Sequence, residues 1–352
     1  MKVTQAVLAA LAKNAHITDI MVQSEDTIMV KTARGWSDAG TGEKITYKEI
    51  FELLLAIEPD AEQLITKGEI NRPHQIEGHR LRINAYLANA GKRLMLSMRR
   101  IPSEMPTLQK QGLPGGLRVL LDTPSGLLLI SGPTGSGKTS SMAAMVDAIN
   151  QSRAVHVVTV EEPIEYVFER KNAIFSQREV GVDCDSVLDG VRAALRQRPD
   201  VIVIGEIRDR ETAEQALIAG ESGHLVIGTL HASSALHTVT KMLAFFSDTE
   251  QEAKSRSLAA SLLGVVNQTL IPRADGGGYA LAVDFLANHK RTYSKHFGDA
   301  DKMNAMMERK EDGVSIPLGD SIQALIRQGV ISKADAVRAV AGNPIAYDRV
   351  RA

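Results

Sequence analysis

The sequence predicts an α/β protein in which a smaller mixed region precedes a parallel sheet wrapped by helices. Three observations carry this expectation. From about residue 115 to 290, short apolar runs alternate with helical segments, as strands joined by crossover helices do. One run, Leu127-Leu128-Leu129-Ile130-Ser131, enters a glycine-rich loop that opens a helix, Ser140–Asn150. The 352 residues are 44% apolar and 24% charged, which supplies core for two domains or for one large one with an appendage.

Residues 1–101 read as the first, mixed α/β domain. Val3, Val7, Leu8 and Leu11 fall on one face of a helix. The apolar stretch Ala6–Ala12 behind Lys2 ends too early for a cleaved signal peptide, which takes roughly 15–30 residues. Ile28-Met29-Val30-Lys31 alternates like a strand, Gly35 marks a turn, and a helical pattern runs from Tyr47 to Ile57. Arg80–Tyr86 and Leu94–Met98 read as strands flanking the turn Asn89-Ala90-Gly91. Pro102, Pro106, Pro114, Gly115 and Gly116 punctuate a linker, 102–117. Residues 118–352 form the second domain. Its last part, about 291–352, reads as helices with polar joins at Glu311-Asp312-Gly313 and Gly329.

Composition excludes several function classes. With 41 basic and 42 acidic residues, the formal charge of −1 provides no bulk field for nucleic acid or anionic lipid. Aromatics make up 4%, too few for base-stacking platforms as the main design. The single cysteine, Cys184, excludes an intrachain disulfide framework and a four-thiolate zinc site, in keeping with a reducing, cytosolic compartment. No apolar run approaches the ~18–20 residues of a membrane span.

Chemistry concentrates in the second domain. Gly132-Pro133-Thr134-Gly135-Ser136-Gly137-Lys138-Thr139 fulfils the G-x-x-x-x-G-K-[ST] pattern after a buried strand and before a helix. Its glycines let backbone amides converge on phosphate oxygens at a helix N-terminus. Lys138 is placed to reach the β- and γ-phosphates, and the Thr139 hydroxyl to sit on Mg²⁺. Hydrolysis also needs a metal carboxylate and a group that orients or deprotonates water. Val155–Val160 ends at Glu161-Glu162-Pro163-Ile164-Glu165, and Val201–Gly205 ends at Glu206. In an open α/β sheet the ligand lies beyond the carboxyl ends of the strands, where these acids fall. A further strand, Leu225–Thr229, is bracketed by His224 and His231, and a histidine there can donate to a γ-phosphate or transmit its presence.

At these residues the chain resembles the secretion-superfamily ATPases, hexameric motors of type IV pili and of type II and type IV secretion, most of all their PilT-like pilus-retraction branch. The resemblance rests on Gly132–Thr139, Thr159-Val-Glu-Glu-Pro-Ile-Glu165-Tyr, Gln177-Arg-Glu-Val-Gly181, Arg192-Ala-Ala-Leu-Arg-Gln-Arg-Pro-Asp200, Gly205-Glu-Ile-Arg-Asp209, and Gly223-His224 through His231. It implies a PAS-like N-terminal α/β domain and a C-terminal RecA-like P-loop ATPase domain with a helical tail. Glu165 matches the last acid of the family's aspartate box, associated with Mg²⁺ and water. Glu206 matches the Walker B glutamate that activates water, and His224 the His-box residue. Position 162 is Glu where relatives often carry Asp.

The strand pair Gly78-His-Arg80-Leu-Arg82-Ile-Asn84 and Arg99-Arg100-Ile-Pro102 resembles the family's arginine-rich strands, which reach a neighbouring subunit's nucleotide. Six basic residues and no acid fall within 79–100, so Arg82 and Arg99 are candidates for a phosphate contact in trans. The resemblance further implies ATP with Mg²⁺, a homohexamer, and a pilus or secretion platform protein of the inner membrane as partner. The chain would then sit in the cytoplasm at the inner face of the bacterial inner membrane, held there through that partner, with no stable nucleic-acid partner.

Pilus-extension relatives carry a tetracysteine motif that one cysteine cannot supply. Retraction relatives carry a C-terminal A-I-R-N-L-I-R-E helix, which Ser321–Gln328 matches at Ile322, Leu325, Ile326 and Arg327. A DotB-like ATPase of type IVB secretion or conjugation is the alternative. A RecA-like DNA-dependent motor is a third, disfavoured by the near-zero charge and few aromatics.

Overall fold

A computed structural model describes residues 2–42, 44–101 and 104–351. They divide into two compact units, 2–104 with 275–279, and 105–274 with 280–351. Pro102 of the Arg99–Pro102 motif, and with it the start of the expected linker, lies outside the described residues.

The first unit contains helices α1 (Lys2–Lys13), α2 (Tyr47–Ile57) and α3 (Ala61–Lys67). Its strands are β1 (Asp19–Gln23), β2 (Met29–Thr32), β3 (Gly35–Asp38), β4 (Glu69–Ile76), β5 (His79–Ala88) and β6 (Arg93–Ile101). They form one sheet in the order β3-β2-β1-β6-β5-β4, antiparallel at every pairing. Val3, Val7 and Leu11 of α1 and Ile50, Leu53 and Leu54 of α2 are buried with Leu81, Ile83 and Ala85 of β5. Alternation therefore turns Arg82 and Asn84 to the other face. A capping box starts α2: the Glu49 amide donates to Thr46 Oγ1, and the Thr46 amide to Glu49 Oε2. The expected turn at Gly35 is present as the left-handed first residue of β3.

The second unit begins with two short helices, α4 (Leu108–Gln111) and α5 (Leu117–Leu121). Its strands are β7 (Gly126–Ser131), β8 (His156–Glu161), β9 (Ile174–Glu179), β10 (Val201–Ile204), β11 (Leu225–Leu230), β12 (Leu262–Pro272) and β13 (Tyr279–Ala287), the first residue of β13 counting with the first unit. The order is β13-β12-β7-β11-β10-β8-β9, and the six strands from β12 to β9 run parallel. Helices α6 (Lys138–Ser152), α7 (Val187–Ala194), α8 (Arg210–Glu221), α9 (Ala235–Ala244) and α10 (Asp248–Ser261) connect them. Strands β7, β10 and β11 are buried along their whole length, as a parallel sheet covered on both faces requires.

The tail folds into α11 (Ala300–Glu308), α12 (Leu318–Arg327), α13 (Lys333–Ala339) and α14 (Pro344–Arg351). Ile322 and Leu318 of α12 are buried against Ile271, Ala336 and Val350. Gly319 lies under α14, where a Cβ would stand 2.6 Å from Arg349 Cδ. Among the described residues no helix is long and apolar enough to cross a membrane.

Candidate active site

Parallel pairing brings four strand ends to one edge. Ser131 of β7 pairs with Leu230 of β11, Gly228 of β11 with Ile204 of β10, and Ile204 with Val160 of β8. Whatever follows these residues is gathered at the carboxyl edge of the sheet. That is the Gly132–Thr139 loop, His231, Glu206 and Glu161 through Glu165.

The loop has the backbone its glycines allow. Gly132, Gly135 and Gly137 take positive φ values of 144°, 77° and 84°. A Cβ on Gly132 would stand 2.5 Å from Ser136 Oγ and 2.7 Å from the Gln268 carbonyl, so no other residue fits there. Pro133, Thr134 and Gly135 are exposed, whereas Ser136 is buried and its hydroxyl has no hydrogen-bond partner. Lys138 is curled back on its own loop, donating to the carbonyls of Gly132 at 2.9 Å and Pro133 at 3.0 Å. Burial pulls the Lys138 ammonium below its usual range, with Glu206 opposing. An orphan hydroxyl, a cradle with no room for a Cβ, and a poised cation form a set that fits a polyphosphate.

Glu206 follows β10; its Oε2 accepts from Arg208 Nη2 at 2.8 Å, and its Oε1 lies 3.2 Å from His231 Nε2. The other ring nitrogen of His231, Nδ1, lies 3.2 Å from the Gly132 carbonyl and 3.4 Å from Lys138 Nζ. His231 thus joins the acid to the phosphate loop. Its own segment is fixed from behind. Lys241 Nζ donates to the His231 carbonyl at 2.6 Å, and Asn267, which also bonds Ser131, donates to the Ala232 carbonyl at 2.9 Å.

Glu165 lies half-buried on the segment leaving β8. The next residue, Tyr166, is anchored to the first turn of α6 by a 2.9 Å hydroxyl pair with Ser140, one residue past Thr139. This tie directs the Glu165 segment toward the loop's end. Glu161, the last residue of β8, is buried; it accepts from Thr159 Oγ1 at 2.8 Å and Gln177 Nε2 at 3.5 Å. Burial raises its carboxyl to about 7, with the neighbouring charges of Glu165 and Glu179 adding to the rise. Among the described residues no three His, Cys, Asp or Glu side chains cluster as a metal cage. Thr139 and Glu165 nonetheless suit Mg²⁺, which takes few protein ligands beside phosphate and water.

One expectation is corrected. His224 does not join its own subunit's site, because it precedes β11 and lies at the amino edge of the sheet. Its carbonyl accepts from the amide of Gly126, the first residue of β7, at 3.0 Å, and its Nδ1 lies 3.2 Å from the Ala219 carbonyl. The length of a six-residue strand, roughly 20 Å, separates it from the loop. His231, at the other end, stands beside the loop, where His224 was expected. Arg82 and Arg99 belong to the first unit, where they are cross-strand partners. Arg99 Nε donates to Asp19 at 3.0 Å and Arg82 Nε to Asn71 at 3.2 Å.

Residues 91–313 match the family described as Type II/IV secretion system protein. The chain is 37% identical over 260 residues to the type IV pilus retraction ATPase PilT of Pseudomonas aeruginosa, covering 73% of this chain and 74% of that one. Among solved structures it is similar to the pilus retraction motor PilT with bound ADP, at a TM-score of 0.82 and 32% identity over 96% of this chain and 97% of that one. It is also similar to the ATPase DotB of Legionella pneumophila, at a TM-score of 0.84 and 25% identity over 96% and 95% of the two chains.

Proposed function

The chain belongs to the Type II/IV secretion system protein family, and from that membership we propose that it is an ATPase whose turnover drives type IV pilus retraction. The observation that carries the reading is the single edge where Lys138, Glu206 and His231 meet the glycine-rich loop. Gly132–Thr139 cradles the phosphates, and Lys138 leaves its two carbonyls to neutralise the transferring phosphoryl group. Glu206 accepts the proton of the attacking water. His231 couples Glu206 to the loop, so that the acid responds to what the loop holds. Thr139 and Glu165 would hold Mg²⁺, which would supply counter-charge to the transferring phosphoryl group.

The working form is a homohexamer, docked through a pilus platform protein at the cytoplasmic face of the inner membrane. Arg82 and Arg99 contact the nucleotide of the next subunit. His224 has no part in its own subunit's chemistry under this reading.

Phosphate release by the purified protein tests the chemistry. Lys138→Ala and Glu206→Gln should each lower kcat by about 10²-fold or more. Glu165→Gln should in addition raise the Mg²⁺ concentration needed for half-maximal rate. Normal turnover by the first two variants rejects the site. Deleting the gene tests the biology: excess surface pili and lost twitching support retraction. Normal pili with failed conjugation or effector export support the DotB-like reading, which the equally good structural likeness keeps in play.

A further inference from the structure

The Gly205–Asp209 segment carries one side chain that this scheme leaves without a role, Arg208. Its backbone is held on both sides. The Ile207 amide donates to the Thr229 carbonyl at 2.8 Å, the Ile207 side chain is buried, and Asp209 caps α8 by accepting from the Thr212 amide at 2.7 Å. With Ile207 turned inward, the flanking Glu206 and Arg208 face outward and meet. The guanidinium then spans two acids that follow different strands. Nη2 donates to Glu206 Oε2 at 2.8 Å and Nη1 to Glu162 Oε2 at 3.2 Å.

A carboxylate turns easily about its last torsion, which is broad and has no staggered wells. His231 alone, on one oxygen, would leave Glu206 free to swing. A donor on the other oxygen fixes the plane of the carboxylate and leaves its remaining lone pairs for water. Only a planar fork can hold that oxygen while keeping a second anchor at Glu162; an ammonium offers a point charge.

We propose that Arg208 is a positioning residue for Glu206, anchored from behind by Glu162 on the loop after β8. The inference rests on the water-activating role assigned to Glu206 above. Arg208 contacts neither phosphate nor the attacking water in this scheme and acts only through the acid it holds. Its loss should therefore be felt in kcat and not in ATP binding.

Steady-state ATP hydrolysis by the full-length protein decides the matter, with Arg208→Gln, Arg208→Lys, Glu206→Gln and the Arg208→Gln/Glu206→Gln double variant measured side by side. Arg208→Gln should lower kcat about 10- to 100-fold, the range of one charge-assisted hydrogen bond. KM for ATP should stay within about threefold, since uniform binding is untouched. Arg208→Lys should recover part of the rate, and the double variant should be no slower than Glu206→Gln alone. Thermal unfolding of each variant monitors folding, and Arg208→Lys serves as the test if the glutamine variant is unstable. Arg208→Gln and Arg208→Lys both turning over at the wild-type rate, beside an inactive Glu206→Gln, overturns the proposal and leaves the role of Glu206 standing. A further loss in the double variant, or a rise confined to KM, also overturns it. Normal turnover by Glu206→Gln overturns both readings at once.

Discussion

At the end of β8 sits a carboxyl group that water hardly reaches. Burial raises Glu161 to about 7, so the folded protein holds this proton more tightly than the unfolded chain, whose carboxyl titrates near 4.5. Between those values the native state carries the extra proton, and stability falls as pH rises. Glu161→Gln, neutral at every pH, should therefore unfold at a higher temperature than wild type at pH 8.5. The gain, on the order of 1–3 kcal/mol, should vanish at pH 4.5. Thermal melts without nucleotide at the two pH values check this. The loop and its two acids were legible in the sequence because their spacing is local. His231 was also within reach, since it follows its strand as Glu206 does, and the carboxyl-edge rule that located the acids applies equally to it. His224 precedes the strand, and only strand direction separates the two histidines.

Among elements, α12 carries a division of labour on its two faces. Ile322 is buried, Leu325 and Ile326 pack partly against the same core, and Arg327 and Gln328 stand exposed. Replacing both exposed residues by alanine should leave ATP hydrolysis within about twofold of wild type, because neither reaches the loop or its acids. In cells it should abolish retraction, read as lost twitching with excess surface pili. The other end of α12 is pinned by buried Asp284, which accepts from the first amide of α9, Ala235, at 2.8 Å and from Leu318 of α12. An amide has one acceptor oxygen where the carboxylate has two. Asp284→Asn, which turns one of those oxygens into an NH₂ donor, should cost about 1–3 kcal/mol, seen as a lower urea midpoint at unchanged m.

The same scale shows where sequence reading stops. Helix α2 was readable from Tyr47 to Ile57 because its apolar spacing is intrinsic to it. Strands β4 and β9 were not. The β4 sequence, EINRPHQI, contains a proline and shows no alternation, and β9 is a half-polar edge strand. Both owe their conformation to the neighbour they pair with, information that no short window contains.

For the whole molecule, the proposed ring makes a test available that no single subunit offers. An Arg82→Ala subunit keeps its pocket, and a Glu206→Gln subunit keeps its arginine. Mixed together, the two inactive proteins should regain turnover at borders that combine the intact halves; no recovery at any ratio counts against a shared site. The arginines also carry a thermodynamic consequence. Arg82 and Arg99 oppose each other across β5 and β6, an unfavourable juxtaposition of like charges, and Asp19 balances only one of them. In the proposed ring the surplus charge would find relief in the anion a neighbour presents. Occupancy of one subunit is thereby tied to the abundance of the others: ATP should drive association, and dilution should weaken ATP binding by the same factor. In such a ring fuel affinity would become a gauge of local copy number: scattered subunits would idle and only those gathered at an assembly site would burn.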